Sequence, residues 1–338
     1  MDRRQPTFII AEAGVNHDGD PGKALSLVDA AADSGADAVK FQTFRAAKLV
    51  TPGACKAGYQ QRTTGEDGGQ LAMLKHLELD RDAHLALLAR CNERDIRFLS
   101  SAFDLGSLAF LESLHVEPVK IPSGEITNLP YLRAVGALGR EVLLSTGMAD
   151  LEEVRAALEV LERAGTPRGR VVVLQCNTEY PTPLEHANLR AMGAMGEALG
   201  VRVGYSDHTV GIEASLAAAA LGACVIEKHF TLDKAAAGPD HAASADPAEL
   251  AALVRGVRAV EAALGSTEKI PSPSERANLH IARKYLVAAR SIAEGEPFST
   301  ENLTSKRIGQ PGVSPMRWDE LLGRPSPRAY APDEAIEA

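Results

Sequence analysis

The chain has 338 residues, 45% of them hydrophobic but only 4% aromatic, and a formal net charge of −9. That is enough apolar material for one large domain or two unequal ones with a core of Ala, Leu and Val, and the acidic balance argues against a general nucleic-acid binder. Four scattered cysteines (Cys55, Cys91, Cys176 and Cys224) form no CxxC pair, no apolar run reaches membrane-spanning length, and no basic-then-apolar leader precedes Thr7. A cytoplasmic protein is expected, with no disulfide framework and no nucleic-acid or membrane partner.

The first apolar run, 7–11, reads as a strand ending at Glu12. After the polar turn GVNHDGD, Pro21 opens a helix pattern that Gly35 closes. A second strand, 36–41, leads to a tip with Lys40, Gln42 and Thr43. From there to about residue 80 the chain is glycine-rich and irregular; a long functional loop with a short helix near 71–76 is expected. A helix pattern at 81–93 follows, and strands and helices then alternate. Strand 96–101 precedes helix 105–114, 117–121 precedes 129–138, and 141–145 precedes 151–165, which Asp150 is placed to cap. Strand 171–175 precedes helix 189–199, the RVGYSDHTVG run precedes 211–221, and GACVIEKHF precedes 247–264.

Eight strand-like runs, nearly all followed by helices, are what repeated βα units give, and an α/β fold of the (β/α)8 TIM-barrel type is the economical reading of 1–265. A doubly wound open sheet is the rival, but no GxGxxG follows the first strand. Residues 266–282 read as a polar linker with Pro271 and Pro273, and 283–338 as a small β-rich unit with KYLVAARSI and a closing RAY strand. Roughly 55 residues bury only a thin core, so that unit is expected to lean on a barrel, its own or a partner's.

In a barrel the strand ends converge on one mouth, which gathers Glu12, Lys40, Ser101, Lys120, Glu125, Ser145, Thr178, His208 and His229. Lysines at that depth need an anion. Lys40 and Lys120, with hydroxyls of Ser101, Ser123, Ser145 and Ser206, make a phosphate pocket of side chains, since no GxxxxGK[ST] loop exists. The alternatives are that each lysine pairs with a rim glutamate, or that one is a Schiff-base nucleophile. His208 and His229 offer two imidazoles to one divalent ion with open positions, the pattern of Lewis-acid catalysis; the alternative is one catalytic and one structural histidine. Asp207 and Glu227 are expected to hold imidazole N–H groups or touch substrate hydroxyls, and His241 to close over the mouth. Glu125, after Ser123-Gly124, is placed to handle a proton or water; Glu12 and Asp240 suit sugar hydroxyls. Such a mouth suits a C–C bond made or broken between a phosphorylated enol or keto acid and a polyhydroxy aldehyde.

The motifs AEAGVNHDG (11–19), KFQTF (40–44), FDLGS (103–107), KIPSGE (120–125), LSTGM (144–148), YPTP (180–183), GYSDHT (204–209), EKHF (227–230) and GPDHAAS (238–244) resemble those of the sialic acid synthase family, and the tail ENLTSKR to SPMRWDELLG resembles its C-terminal antifreeze-like (SAF) domain. The resemblance implies an N-acetylneuraminate synthase-like transferase. It condenses phosphoenolpyruvate with an open-chain N-acylated mannosamine-type sugar, giving a nine-carbon 2-keto acid and phosphate. It implies a divalent ion on His208 and His229, manganese with magnesium or cobalt as alternatives. Lys40, Ser101, Lys120, Ser123, Ser145, Thr178 and Ser206 are assigned to phosphoenolpyruvate, with Lys120, Glu125, His208 and His229 catalytic. Glu12, Gln42, Tyr180, Glu227, Asp240 and Arg307 take the sugar side, Arg307 from the partner in a domain-swapped homodimer. The family pattern departs at Gln175, Ala102, Thr178 and the KRIGQPGVSP tail loop, which leaves the acceptor open between N-acetylmannosamine and a 2,4-diacetamido-2,4,6-trideoxymannose, the substrate of an N,N'-diacetyllegionaminate synthase. A pyruvate-dependent sugar aldolase and a non-enzymatic carbohydrate- or ice-binding protein are the rival functions.

Overall fold

A computed structural model describes residues 5–65 and 69–337; the outer ends of the expected domains, 1–4 and 338, lie outside the described residues. It divides after Gly265 into two compact units, Met1–Gly265 and Ser266–Ala338. In the first, eight parallel strands close into a barrel in chain order, β1 pairing with both β2 and β8. The elements are β1 (Phe8–Gly14), α1 (Pro21–Asp33), β2 (Ala38–Thr43), α2 (Ala46–Leu49), α3 (Gly58–Thr64), α4 (Gly69–His76), α5 (Arg81–Glu93), β3 (Arg97–Ala102) and α6 (Leu105–Ser113). They continue with β4 (Val119–Ile121), α7 (Leu129–Ala137), β5 (Val142–Ser145), α8 (Leu151–Ala164), β6 (Val171–Gln175), α9 (Arg190–Leu199), β7 (Arg202–Asp207), α10 (Glu213–Ala220), β8 (Val225–His229) and α11 (Pro247–Leu264).

The barrel strands are buried on both faces, so FIIAEAG and VVVLQ read as continuous apolar runs without alternation. The helices outside begin where the sequence offers a cap. Asp20, Asp80, Asp104, Asn128, Asp150 and Asp246 each accept a first-turn N–H of α1, α5, α6, α7, α8 and α11, each worth about 1 kcal/mol. Gly204 on β7 is required by close packing: a Cβ there would lie 2.6 Å from both Leu174 Cδ2 and Val225 O. The stretch expected as an irregular loop before residue 80 holds three short helices, α2, α3 and α4; only α4 had a signal. None of the described helices is long and apolar enough to cross a membrane.

The second unit has its own small core of Leu286, Ala288, Ile292, Phe298, Leu303, Leu321, Tyr330 and Ile336. The 266–282 stretch falls with this unit and carries α12 (Pro273–Arg276) and α13 (Leu279–Ala282), followed by β9 (Tyr285–Ala288), β10 (Leu303–Lys306) and α14 (Trp318–Leu321). The β9–β10 pair is antiparallel. The expected closing strand at RAY is corrected to a single bridge, Tyr330 to Ile292: backbone hydrogen bonds run both ways between that pair, with no ladder beyond it.

Candidate functional site

Side chains alternate across a strand, and at the C-terminal ends of the barrel strands the inward positions carry the polar groups. They open into a cavity of about 640 Å³ lined by every expected site residue of the first unit except Asp207 and His241. At its floor the registers set Glu12 opposite both Lys40 and His229, Ser101 opposite Lys120, and Ser206 opposite Glu227. Lys40 Nζ donates to Ser101 Oγ at 3.0 Å, and Lys120 Nζ to Ser145 Oγ at 2.8 Å. Glu12 Oε2 lies 2.6 Å from Lys40 Nζ; Glu227 lies 3.6 Å from Lys40 and 3.5 Å from Lys120, and accepts from Ser206 Oγ at 2.9 Å. The lysines therefore do pair with glutamates, but deep in the barrel rather than on its rim. Glu12 Oε2 and Glu227 Oε2 share one ammonium, that of Lys40, and have no other donor among the described residues.

Electrostatics separate the two carboxylates. Burial raises the Glu12 carboxyl to about 7, the Lys40 charge offsetting only part of it. Glu227 is buried as deeply, yet the ammonium groups of Lys120 and Lys40 overturn that and hold it near 2. Burial lowers Lys120, with Glu227 resisting; for Lys40, burial is outweighed by Glu12 and Glu227, and its pKa rises.

Beside this floor stand the histidines. Their ring centroids are 5.3 Å apart, and Tyr180 stacks 4.1 Å from His208 and meets His229 edge-on at 5.5 Å. His208 Nδ1 bonds to the Asn177 carbonyl. A carbonyl only accepts, so Nδ1 carries the proton and Nε2 keeps its lone pair. Burial lowers His208 to about 4 and pushes His229 well below the ordinary histidine value, so both rings stay neutral. His229 Nδ1 has no hydrogen-bond partner, its nearest carboxylate oxygen being Asp240 Oδ2 at 3.9 Å. Burial raises Asp240 to about 7. Gly14, at φ +54°, turns the chain here; a Cβ would sit 3.3 Å from His229 Cε1 and 3.4 Å from Gln42 Nε2.

On the β4–β6 side, a 3-10 turn at Ser123–Glu125 presents Ser123 Oγ, which accepts from Gly147 N at 3.0 Å and lies 3.3 Å from Cys176 Sγ. Glu125 accepts from Asn128 Nδ2 at 2.5 Å, and burial raises its carboxyl. Thr178 and Gln42 also line the cavity.

Two expectations are corrected. Asp207 does not serve the imidazoles: parity turns it to the outside of the barrel, where it pairs with Lys228 at 3.1 Å and accepts from Ser215 and Thr209. His241 does not close the mouth; it is buried in a turn between Thr231 Oγ1 and Asp18. Arg307 is exposed in the second unit. The residues unforeseen at the site are Asn177, whose carbonyl leaves no trace in a side-chain motif, Asn128, and Tyr59 of α3 with the apolar wall near it.

A closed parallel barrel with buried lysines, neutral histidines and buried carboxylates gathered at the strand C-termini has the form of a barrel enzyme with its active-site mouth on that face. Comparisons narrow this. Residues 27–269 match the NeuB family and residues 283–338 the SAF domain. The chain is 51% identical to the N,N'-diacetyllegionaminic acid synthase of Campylobacter jejuni, over 98% of both chains. It is 45% identical to the N,N'-diacetyllegionaminic acid synthase of Legionella pneumophila, over 94% of this chain and 89% of that one. Among solved structures, the N-acetylneuraminic acid synthetase of Leptospira borgpetersenii superposes with a TM-score of 0.71 at 35% identity, covering 80% of this chain and 90% of that one. The chain belongs to the NeuB family.

Proposed function

We propose that this chain, a phosphoenolpyruvate-dependent C–C bond-forming synthase of the sialic acid synthase type, takes 2,4-diacetamido-2,4,6-trideoxymannose as acceptor and makes N,N'-diacetyllegionaminic acid. The observation that carries the chemistry is the pair of buried lysines, each tied to a strand-end serine and facing a cavity of about 640 Å³. The likeness to the two legionaminic acid synthases supports the acceptor.

Lys40, Lys120, Ser101, Ser123, Ser145, Thr178 and Ser206 bind the phosphate and carboxylate of phosphoenolpyruvate. C3 of the enol attacks the acceptor aldehyde carbon, whose oxygen becomes a hydroxyl. Water adds at C2 and phosphate leaves with the enol oxygen, so the 2-keto oxygen comes from water. Glu125, its carboxyl raised by burial and oriented by Asn128, manages that water's proton. Glu12, Gln42, Tyr180, Glu227 and Asp240 hold the acceptor's hydroxyl and amide groups.

Two neutral imidazoles, one with its tautomer set by the Asn177 carbonyl and the other with an unpartnered nitrogen, fit a divalent ion such as manganese. Among the described residues no group of three His, Cys, Asp or Glu side chains is placed to hold a metal ion, so the protein would supply the two imidazoles alone. When bound, the ion supplies a Lewis acid for the acceptor aldehyde. We place the enzyme in the cytoplasm as a domain-swapped homodimer in which Arg307 serves the partner's mouth. Leu105, Leu129 and Leu151, exposed at helix starts around the mouth, and Met148 in the turn before α8 support a covering partner.

The test is phosphate release with phosphoenolpyruvate and manganese, run beside N-acetylmannosamine and the 2,4-diacetamido-trideoxy sugar, with each product weighed. Higher kcat/KM with the second supports the proposal; preference for the first overturns the acceptor and keeps the chemistry. For the metal, His208→Ala should abolish manganese binding in calorimetry and leave the fold by circular dichroism; undiminished binding removes the assignment.

A further inference from the structure

The geometry points to Tyr59 as a specificity-determining residue, the far wall against which the acceptor's deoxy end and distal acetamido group are selected; the inference rests on the acceptor proposed above. The aromatic rings form a file across the cavity. His229 and His208 stand 5.3 Å apart, Tyr180 lies 4.1 Å from His208, and Tyr59 lies 4.9 Å beyond Tyr180 at 32°. The acceptor aldehyde must sit near the histidines, where phosphoenolpyruvate on the lysines reaches it. The opposite end of the sugar therefore points along the file toward Tyr59.

The lining contributed by the loop there is largely apolar, with Gln60 and Gln70 as its polar members. Leu49, Met73 and Leu74 line the same cavity as Tyr59 and are half-buried against the small core of Val15, Phe44 and Leu77. Those three side chains accept a C6 methyl or an acetamido methyl and offer a hydroxyl set against them no partner. Tyr59 itself brings a flat ring rather than a charge. Burial, with the Asp240 charge adding, raises its phenol pKa, and its hydroxyl has one long side-chain contact, Gln60 Nε2 at 3.4 Å. The ring lies on Tyr180, and on the same side Arg62 of α3 meets Glu179 at 2.9 Å in an exposed pair. The helix that presents Tyr59 thus lies next to the residue that stacks on His208.

The experiment compares wild type, Tyr59→Phe and Tyr59→Ala by kcat/KM for the 2,4-diacetamido-trideoxy sugar and for N-acetylmannosamine, with the KM for phosphoenolpyruvate and thermal melting as controls. Tyr59→Ala should lower the ratio of the first sugar to the second by roughly tenfold or more, with the phosphoenolpyruvate KM unmoved, and Tyr59→Phe should keep the wild-type ratio. An unchanged ratio in Tyr59→Ala, whether both sugars fall together or neither does, overturns the inference. So does a phosphoenolpyruvate KM that moves with the substitution. The wild-type ratio alone judges the proposed acceptor and the change on substitution alone judges Tyr59, so either idea can fail without the other.

Discussion

Two sets of buried charges lie back to back on neighbouring strands, and they are finished differently. Outside the barrel, Asp207 and Lys228 are 0% and 1% exposed. Asp207 Oδ1 accepts from Thr209 N and Oγ1, Oδ2 accepts from Ser215 Oγ, and Lys228 bonds to Asp207 and to the Thr209 carbonyl. Inside, Lys40 and Lys120 are as deep, at 2% and 3%, but Glu12 Oε2 and Glu227 Oε2 both depend on the single ammonium of Lys40, at 2.6 and 3.6 Å. A buried charge is expensive unless its partners are complete. Both oxygens of Asp207 accept hydrogen bonds, and the outer set holds β7 to β8 beside the helix layer. The inner set leaves Glu12 Oε2 and Glu227 Oε2 able to accept from the hydroxyl or amide donors of a ligand, which is what the floor of a sugar-binding cavity requires.

Breaking the outer set should have the largest effect. Lys228→Met leaves Asp207 charged and buried, and should lower the unfolding free energy by about 3–5 kcal/mol in urea titrations. Adding Asp207→Leu should return most of it; a double variant as weak as the single one contradicts a self-contained pair. Next comes the inner set. Lys120→Met should reduce phosphate release on the order of 10²–10³-fold while destabilising the chain less than Lys228→Met. A Lys120→Met chain that is destabilised as much as Lys228→Met yet keeps its turnover would falsify the contrast.

His17 sharpens the comparison because it is half-finished within the protein. Its Nδ1 accepts from Gly19 N at 3.0 Å, and its buried Nε2 has no partner. Burial lowers its pKa from 6.5 to about 4, so the unfolded chain protonates first as the pH falls. Its contribution is full above pH 6.5, declines as the pH falls to about 4, and totals about 3 kcal/mol. Urea titrations at pH 7 and 4.5 should show that decline, and His17→Gln should flatten it. The smallest effect belongs to charges in water. Arg62→Ala removes a pair whose side chains are 64% and 52% exposed and should shift stability by less than about 1 kcal/mol; a larger shift would mean that α3 depends on that pair to form.

The barrel was legible because its signals are local. Apolar runs of strand length, Asp and Asn caps, and polar residues at strand ends repeat in register with the βα unit, and parallel barrels put those ends on one side. Thus Lys40, Lys120, His208 and His229 share a mouth that could be anticipated from their places in the chain. Asp207 was misread although the means to place it were present: on a strand whose Ser206 faces in, the next residue faces out. The helices of 46–64 were not legible, since GYQQRTT has no apolar stripe and α3 buries no residue outright. Nor was the Asn177 carbonyl, because every residue has one.

The sequence by itself determined the order of elements, the kind of chemistry and the residue types at the mouth, since period, capping and strand-end placement act over a few residues. Only the tertiary structure decided which buried charges have full partner sets, which tautomer His208 adopts and which aromatic ring backs Tyr180. Those depend on strands and loops far apart in the chain meeting at hydrogen-bond and van der Waals range, where a difference of one ångström separates a satisfied group from one that needs a ligand.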